Sequence, residues 1–117
     1  MKYLSLLKKL AQSSDHHSHK MSCLIIRQGK IIGRGYNSLG THPESKHAFY
    51  CKHAEFNAFI DSNRDIEGST VYIFRENKMG VPSLARPCTS CYKLLTSEKV
   101  KRIVYTFEGS YKEEKLK

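Results

Sequence analysis

The sequence predicts an α/β fold: one domain over residues 1–117, built on a mixed sheet of about four to five strands with helices on both faces. Three observations carry that prediction. Two runs rich in β-branched residues stand side by side across a single glycine. Two later apolar runs each alternate with a helical segment, and strand–helix–strand units demand right-handed crossovers and parallel neighbours. The length suits a single domain that buries a core without disulfide staples.

Each element has its own signal. Tyr3, Leu6, Leu7, Leu10 and Ala11 recur at helical spacing opposite Lys2, Lys8 and Lys9, which predicts an amphipathic helix over 3–11. Ser13 to Lys20, rich in serine and histidine, reads as a loop. Ser22–Gln28 and Lys30–Tyr36 read as a hairpin turning at Gly29. Gly35-Tyr36-Asn37-Ser38 ends it, and a polar loop with Pro43 continues to Tyr50. His53 to Ser62 has helical composition, with Phe56, Phe59 and Ile60 on one apolar face. Ser69–Phe74 predicts a buried strand, bounded by Gly68 and by a turn from Asn77 to Gly80. Pro87 suits the first position of a helix, where no backbone donor is needed, and that helix runs to Ser97. Arg102–Thr106 is a further strand. Ser110–Leu116 reads as a short helix with Ser110 as its cap and Glu113 three residues on.

Composition narrows the class. The longest apolar stretches, such as Cys23-Leu24-Ile25-Ile26, are far too short to span a bilayer, so no membrane partner is expected. No apolar leader segment is visible, and two of the four cysteines sit in a C-x-x-C, so a reducing, cytoplasmic compartment is expected. The net charge of +9 is unevenly placed. Residues 1–36 hold seven basic residues and one acid, residues 37–91 six of each, and residues 92–117 seven bases and four acids. The basic excess therefore flanks a neutral centre. Such a surface attracts phosphate, from a nucleotide or from nucleic acid, or else it is simply a solvated face.

The chemistry lies in the neutral centre. Cys51-Lys52-His53-Ala54-Glu55 is followed, 32 residues after Glu55, by Pro87-Cys88-Thr89-Ser90-Cys91. One imidazole and two thiolates supply three protein ligands for Zn²⁺. A structural zinc normally takes a fourth protein ligand, whereas a catalytic one leaves that position to water. His53, Cys88 and Cys91 are therefore the candidate ligands, and Glu55 is the acid–base group such water needs. His53 and Glu55 serve one site only if His53 stands at a helix start, since residues two apart otherwise face different sides. Cys88 and Cys91, three apart, share one helical face. Two helix N-termini then converge, and their positive ends favour thiolate over thiol. H-x-E alone is uninformative, and C-x-x-C alone more often marks a structural zinc or a redox pair. The combination, with proline directly before the first cysteine, is specific.

On these motifs the chain resembles the cytidine/deoxycytidylate deaminase superfamily, over roughly residues 20–107. The resemblance implies a cytidine-deaminase-like three-layer sandwich. The histidine ligand departs from the small free-cytidine deaminases, which use a third cysteine there. His53-Ala54-Glu55-Phe56-Asn57-Ala58 is similar to the deoxycytidylate deaminases, as is Gly35-Tyr36-Asn37 after the hairpin. The likeness implies a zinc cofactor on His53, Cys88 and Cys91 and a hydrolytic attack on C4 of cytosine. Glu55 would move the proton of water to N3 as ammonia leaves. The implied substrate is a free nucleotide, dCMP going to dUMP. Asn37 would touch the sugar, Ala54 and Pro87 would lie against the substrate, and Phe107 would stack on the base. The alternatives are a turn residue at Asn37 and a core aromatic at Phe107. tRNA adenosine deaminases and polynucleotide cytidine deaminases share the zinc motifs, so a base in single-stranded DNA or RNA is the alternative substrate. A zinc-stabilised binding module is the non-enzymatic one.

Further expectations concern the flanks. Only 15 residues separate Asn37 from His53, which leaves little room for an allosteric nucleotide loop. His42, Lys46 and Arg86 flank the motif loops and are the candidates for phosphate. His16, His17, His19, Cys23, His42, His47 and Cys51 match no closed Cys/His pattern, so they read as loop histidines and buried thiols rather than a second zinc. Tyr36, Tyr72 and Tyr105 read as packing residues. Phe49, Tyr50, Phe56, Phe59 and Ile60 cluster around one helix with more apolar surface than a sheet face covers. A homo-oligomer, most simply a C₂ dimer whose neighbour completes the pocket wall, is therefore expected, against a monomer kept apart by its charge.

Overall fold

The computed structural model describes residues 2–14, 19–39 and 51–116. In chain order its elements are α1 (Leu4–Ala11), β1 (Lys20–Arg27), β2 (Lys30–Tyr36), β3 (Ser38–Leu39), β4 (Cys51–Lys52), α2 (Ala54–Asp61), β5 (Thr70–Glu76), α3 (Thr89–Ser97), β6 (Arg102–Phe107) and β7 (Ser110–Lys115). Gln28 and Gly29 both take positive φ, 53° and 75°. That pair makes a two-residue turn whose twist matches the flanking strands, and β1 and β2 close into the expected antiparallel hairpin. β1 also pairs antiparallel with β5, and β5 pairs parallel with β6, as the strand–helix–strand order requires. The main sheet has five strands in the order β2-β1-β5-β6-β7.

The continuous apolar run in β1 is explained by burial on both sides. Leu24 and Ile26 pack with Phe74 against Leu7 and Ala11 of α1. Cys23 and Ile25 point the other way, into a core shared with Val71, Ile73 and Ile103 and covered by Ala58 and Phe59 of α2 and Leu95 of α3. Helices thus cover both faces in three layers. Among the described residues, no helix is long and apolar enough to cross a membrane.

The seat of α2 is cut into β2. A Cβ built on Gly35 would stand 2.4 Å from both Ala54 O and Ala58 N, and one on Gly33 would stand 2.6 Å from Ala58 O. Two glycines on one face of the strand let the helix backbone lie directly on the sheet. Asn57 Nδ2 donates to Tyr36 O at 2.8 Å and fixes the helix start over the end of β2. The short β3–β4 pair then leads the chain directly into His53.

Two expectations are corrected. Ser110–Leu116 is not a helix: Ser110–Lys115 forms β7, paired from Phe107↔Ser110 to Arg102↔Lys115. Glu108 and Gly109, with φ of 46° and 80°, form a second two-residue turn. Pairing along the otherwise open edge of β6 outweighs a weak local cap signal. Pro87 is not the first helical residue either. Cys88 caps α3 in an extended conformation, with ψ 168°, so the proline lies one position before the cap.

Candidate metal centre and active site

Two helix starts place the candidate ligands. His53 is the N-cap of α2, with extended φ/ψ of −81° and 141°, as a shared site with Glu55 requires. Cys88 is the N-cap of α3, and Cys91 follows one turn later, fully buried. The three ligand atoms all lie within 4.8 Å of one another. Cys88 Sγ is 3.6 Å and Cys91 Sγ 3.4 Å from His53 Nδ1. A tetrahedral zinc with Zn–S of about 2.3 Å and Zn–N of about 2.0 Å sets sulfur and nitrogen about 3.5 Å apart. The trio fits Zn²⁺.

Glu55, in the first turn of α2, is 2% exposed, and its Oε1 has no hydrogen-bond partner among the described residues. A buried carboxylate oxygen of this kind calls for a polar ligand, because desolvation without a partner is costly. Burial pushes the Glu55 carboxyl pKa up. Cys88 is pulled down to about 3, first by its hydrogen bond with Cys91 and then by that with His53. Cys91 moves up, because it shares its hydrogen with Cys88. His53 moves up through its hydrogen bond with Cys88. A thiolate is the form in which a cysteine binds metal, and the downward shift of Cys88 favours it, with the Glu55 carboxyl close by. These groups open into a cleft of about 170 Å³ lined by Met21, Asn37, His53, Glu55, Arg75, Leu84, Arg86 and Cys88.

Comparison with known families agrees with this geometry. The sequence profile described as "Cytidine and deoxycytidylate deaminase zinc-binding region" matches residues 1–107. The chain belongs to this deaminase family. It is 27% identical to the deoxycytidylate deaminase of Mycobacterium phage D29, over 92% of this chain and 93% of that protein. It is 24% identical to the human deoxycytidylate deaminase over 80% of this chain, but spans only 56% of that longer protein. The fold is similar to that of the dCMP deaminase of cyanophage S-TIM5, with a TM-score of 0.65 at 22% identity, covering 86% of this chain and 76% of that one.

Within this deaminase domain, the residues singled out by sequence fall into two groups. Asn37 reaches the cleft, but it is largely spent on the fold. Its Oδ1 accepts from Ser14 Oγ at 2.7 Å and Met21 N at 2.9 Å, and its Nδ2 donates to His19 O at 2.7 Å. Ala54 is buried against Gly35, and Pro87 is buried between Arg86 and Cys88. Phe107 is not brought to the cleft. It ends β6, and Lys112 Nζ stands 4.2 Å over its ring. Phe56 and Phe59 are internal, so they are not the exposed surface expected of them. Tyr72 and Tyr105 are packing residues, Tyr72 meeting Tyr3 edge-on at 5.1 Å, whereas Tyr36, expected to pack as well, is exposed at the end of β2.

Among the described residues no second metal cluster forms: His19 meets Arg75, and Cys23 lies in the core. His16, His17, His42, Lys46, His47, Phe49 and Tyr50 lie outside the described residues, as does the side chain of Cys51. Arg86 does reach the cleft, held by Glu114: its Nε donates to Oε2 at 2.9 Å. Arg75, Met21 and Leu84 line the cleft without a motif to mark them. The apolar run that signals β5 ends at Phe74, yet the strand continues through Glu76 and carries Arg75 to the cleft.

Proposed function

We propose that this chain is a zinc-dependent hydrolase that converts dCMP and water into dUMP and ammonia. The observation that carries the reading is the buried Oε1 of Glu55, without a partner among the described residues, beside the His53–Cys88–Cys91 trio. The names of relatives supply the substrate: the phage protein is a deoxycytidylate deaminase, and the cyanophage enzyme is described in complex with dCMP and dUMP. His53, Cys88 and Cys91 would hold the zinc, which when bound would lower the pKa of a water towards neutrality. Glu55 takes a proton at Oε1 and delivers it to N3 of cytosine. Its raised pKa, caused by burial, suits a group that must hold this proton between the two transfers. Asn37 keeps the cleft wall in place and has one amide hydrogen left for the sugar. Ala54 and Pro87 flank the ligands and, buried themselves, back the wall against which the base would lie.

Glu55→Gln is expected to retain about one zinc per chain while turnover of dCMP falls by about 10³-fold or more. A variant that keeps full turnover would remove Glu55 from the chemistry. A mass-resolved panel of cytidine, deoxycytidine, CMP, dCMP and short single strands tests the substrate. Faster turnover of the single strands, with steep salt dependence, would replace the nucleotide reading with the polynucleotide one.

The reading extends to a homo-oligomer in the cytoplasm. Among the described residues Cys23, Cys88 and Cys91 are in no disulfide, which suits a reducing compartment. Met79, Val81 and Leu84 are exposed apolar residues between β5 and α3, and Leu84 lines the cleft. They offer a surface by which a second copy completes the pocket wall. A single species at the 13.5 kDa monomer mass in light scattering at moderate salt would end the shared-pocket idea.

A further inference from the structure

Two arginines line the cleft, and they are not equivalent. Arg86 has its charge matched. Its Nε and Nη2 donate to the two carboxylate oxygens of Glu114 at 2.9 and 3.4 Å, and its guanidinium lies 4.9 Å over the Tyr92 ring. Glu114 is fixed in turn by Tyr105 Oη, which donates to Oε2 at 2.6 Å. A phosphate approaching Arg86 would have to displace a bidentate carboxylate.

Among the described residues, Arg75 is held without a carboxylate partner. Its backbone N–H donates to Thr106 Oγ1 at 3.1 Å, and its Nη1 donates to Leu84 O at 3.2 Å. Nη2 stands 2.6 Å from His19 Nδ1. The guanidinium is thus anchored without a carboxylate among the described residues. Among the same residues its buried Nε has no acceptor, and the residue lines the cleft that also holds Glu55, His53 and Cys88. A buried donor of this kind is costly unless something accepts from it. An anion with two oxygens matches the fork, and pre-anchoring lowers the entropy lost on binding.

The geometry points to Arg75 as the residue that recognises the 5′-phosphate, and so separates dCMP from deoxycytidine. The inference rests on the proposed function, in which the substrate is a nucleotide. With C4 of cytosine at the Glu55 and His53 end, the phosphate needs an uncompensated cation within the same cleft. Among the described lining residues, Arg75 is the arginine that supplies one. This moves the phosphate role away from Arg86, the candidate suggested by its place beside the motif loop.

The test compares dCMP with deoxycytidine in the full-length, zinc-loaded protein. Arg75→Ala is expected to lower kcat/KM for dCMP by about 10- to 100-fold, mainly through KM, and to change that for deoxycytidine by less than about twofold. Arg75→Lys, which keeps the charge and loses the fork, should fall between. Arg86→Gln is expected to change the two substrates alike. Equal losses on both substrates in Arg75→Ala would make Arg75 merely structural and overturn the assignment, as would an unchanged KM for dCMP. Calorimetric binding separates this from the proposed reaction, because it does not need turnover. If the unmutated protein deaminates neither compound, the proposed reaction fails. Arg75 then still stands if dCMP binds at least about tenfold more tightly than deoxycytidine and Arg75→Ala abolishes the preference. Equal affinities, or no dCMP binding, would overturn it.

Discussion

The two helices that converge on the metal trio are held by different forces. α2 lies flush on β2, with Ala54 and Ala58 over Gly33 and Gly35, and it buries Phe56 and Phe59 as well. α3 buries only Cys91 and Leu95 among its described residues, and the loop entering it is tied by Arg86 to Glu114 of the terminal strand. His53 and Glu55 are therefore positioned by shape, whereas Cys88 depends partly on a polar tether. Shape is indifferent to pH and salt, and a half-exposed ion pair is not. β7, which supplies the tether, also lies beyond the residues 1–107 matched by the family profile.

Gly35→Ala attacks the shape-held helix and carries the largest expected effect. The new methyl would meet α2 backbone at 2.4 Å, where no side chain is available to swing away. A loss of about 3 kcal/mol or more is expected, together with loss of stoichiometric zinc, because His53 and Glu55 move with the helix. Thermal melting and metal analysis read both outcomes. A variant that melts like the parent would show that α2 is not seated by close contact.

Leu95→Ala attacks α3 through its main core anchor, which is fully buried. About 2 to 3 kcal/mol is expected, towards the lower part of the range for buried leucine, since a thinly packed helix can settle into the space. Denaturant unfolding measures it. A loss exceeding that of Gly35→Ala would reverse the contrast between the helices.

Glu114→Gln cuts the tether and should cost less than about 1 kcal/mol, since both partners are partly exposed. Its signature is pH dependence. Arg86, ahead of the Tyr105 hydroxyl, holds the Glu114 carboxyl below its usual value. A depressed pKa stabilises the fold above the unfolded-state value, and that contribution disappears as pH falls through the folded-state one. The parent should therefore melt higher than Glu114→Gln near neutrality, and the difference should vanish as the solution is acidified below the ordinary glutamate range. Added salt should shrink it too, while leaving the Gly35→Ala loss unchanged. A difference that persists in acid would assign the tether to packing instead.

Local features were legible from the residues alone. Gly29 between two β-branched runs marks a turn, because few residues tolerate positive φ there. Alternating strands and helices require a parallel β5–β6 pair. H-x-E and P-C-x-x-C identify the candidate ligands, since three donors at those spacings serve little else but a metal. Tertiary structure settled whatever depended on an edge or a distant partner. Ser110–Lys115 has charged residues that suit a helix as well as an edge strand, and the open side of β6 chose the strand. Gly33 and Gly35 are visible as residues, but nothing local says that a helix lies against them. The sequence favours Arg86, beside the motif loop, over Arg75, which no motif marks. Only the fold sets Glu114 against Arg86 and leaves the Nε of Arg75 without an acceptor among the described residues, because whether a charge is matched depends on what the chain brings beside it.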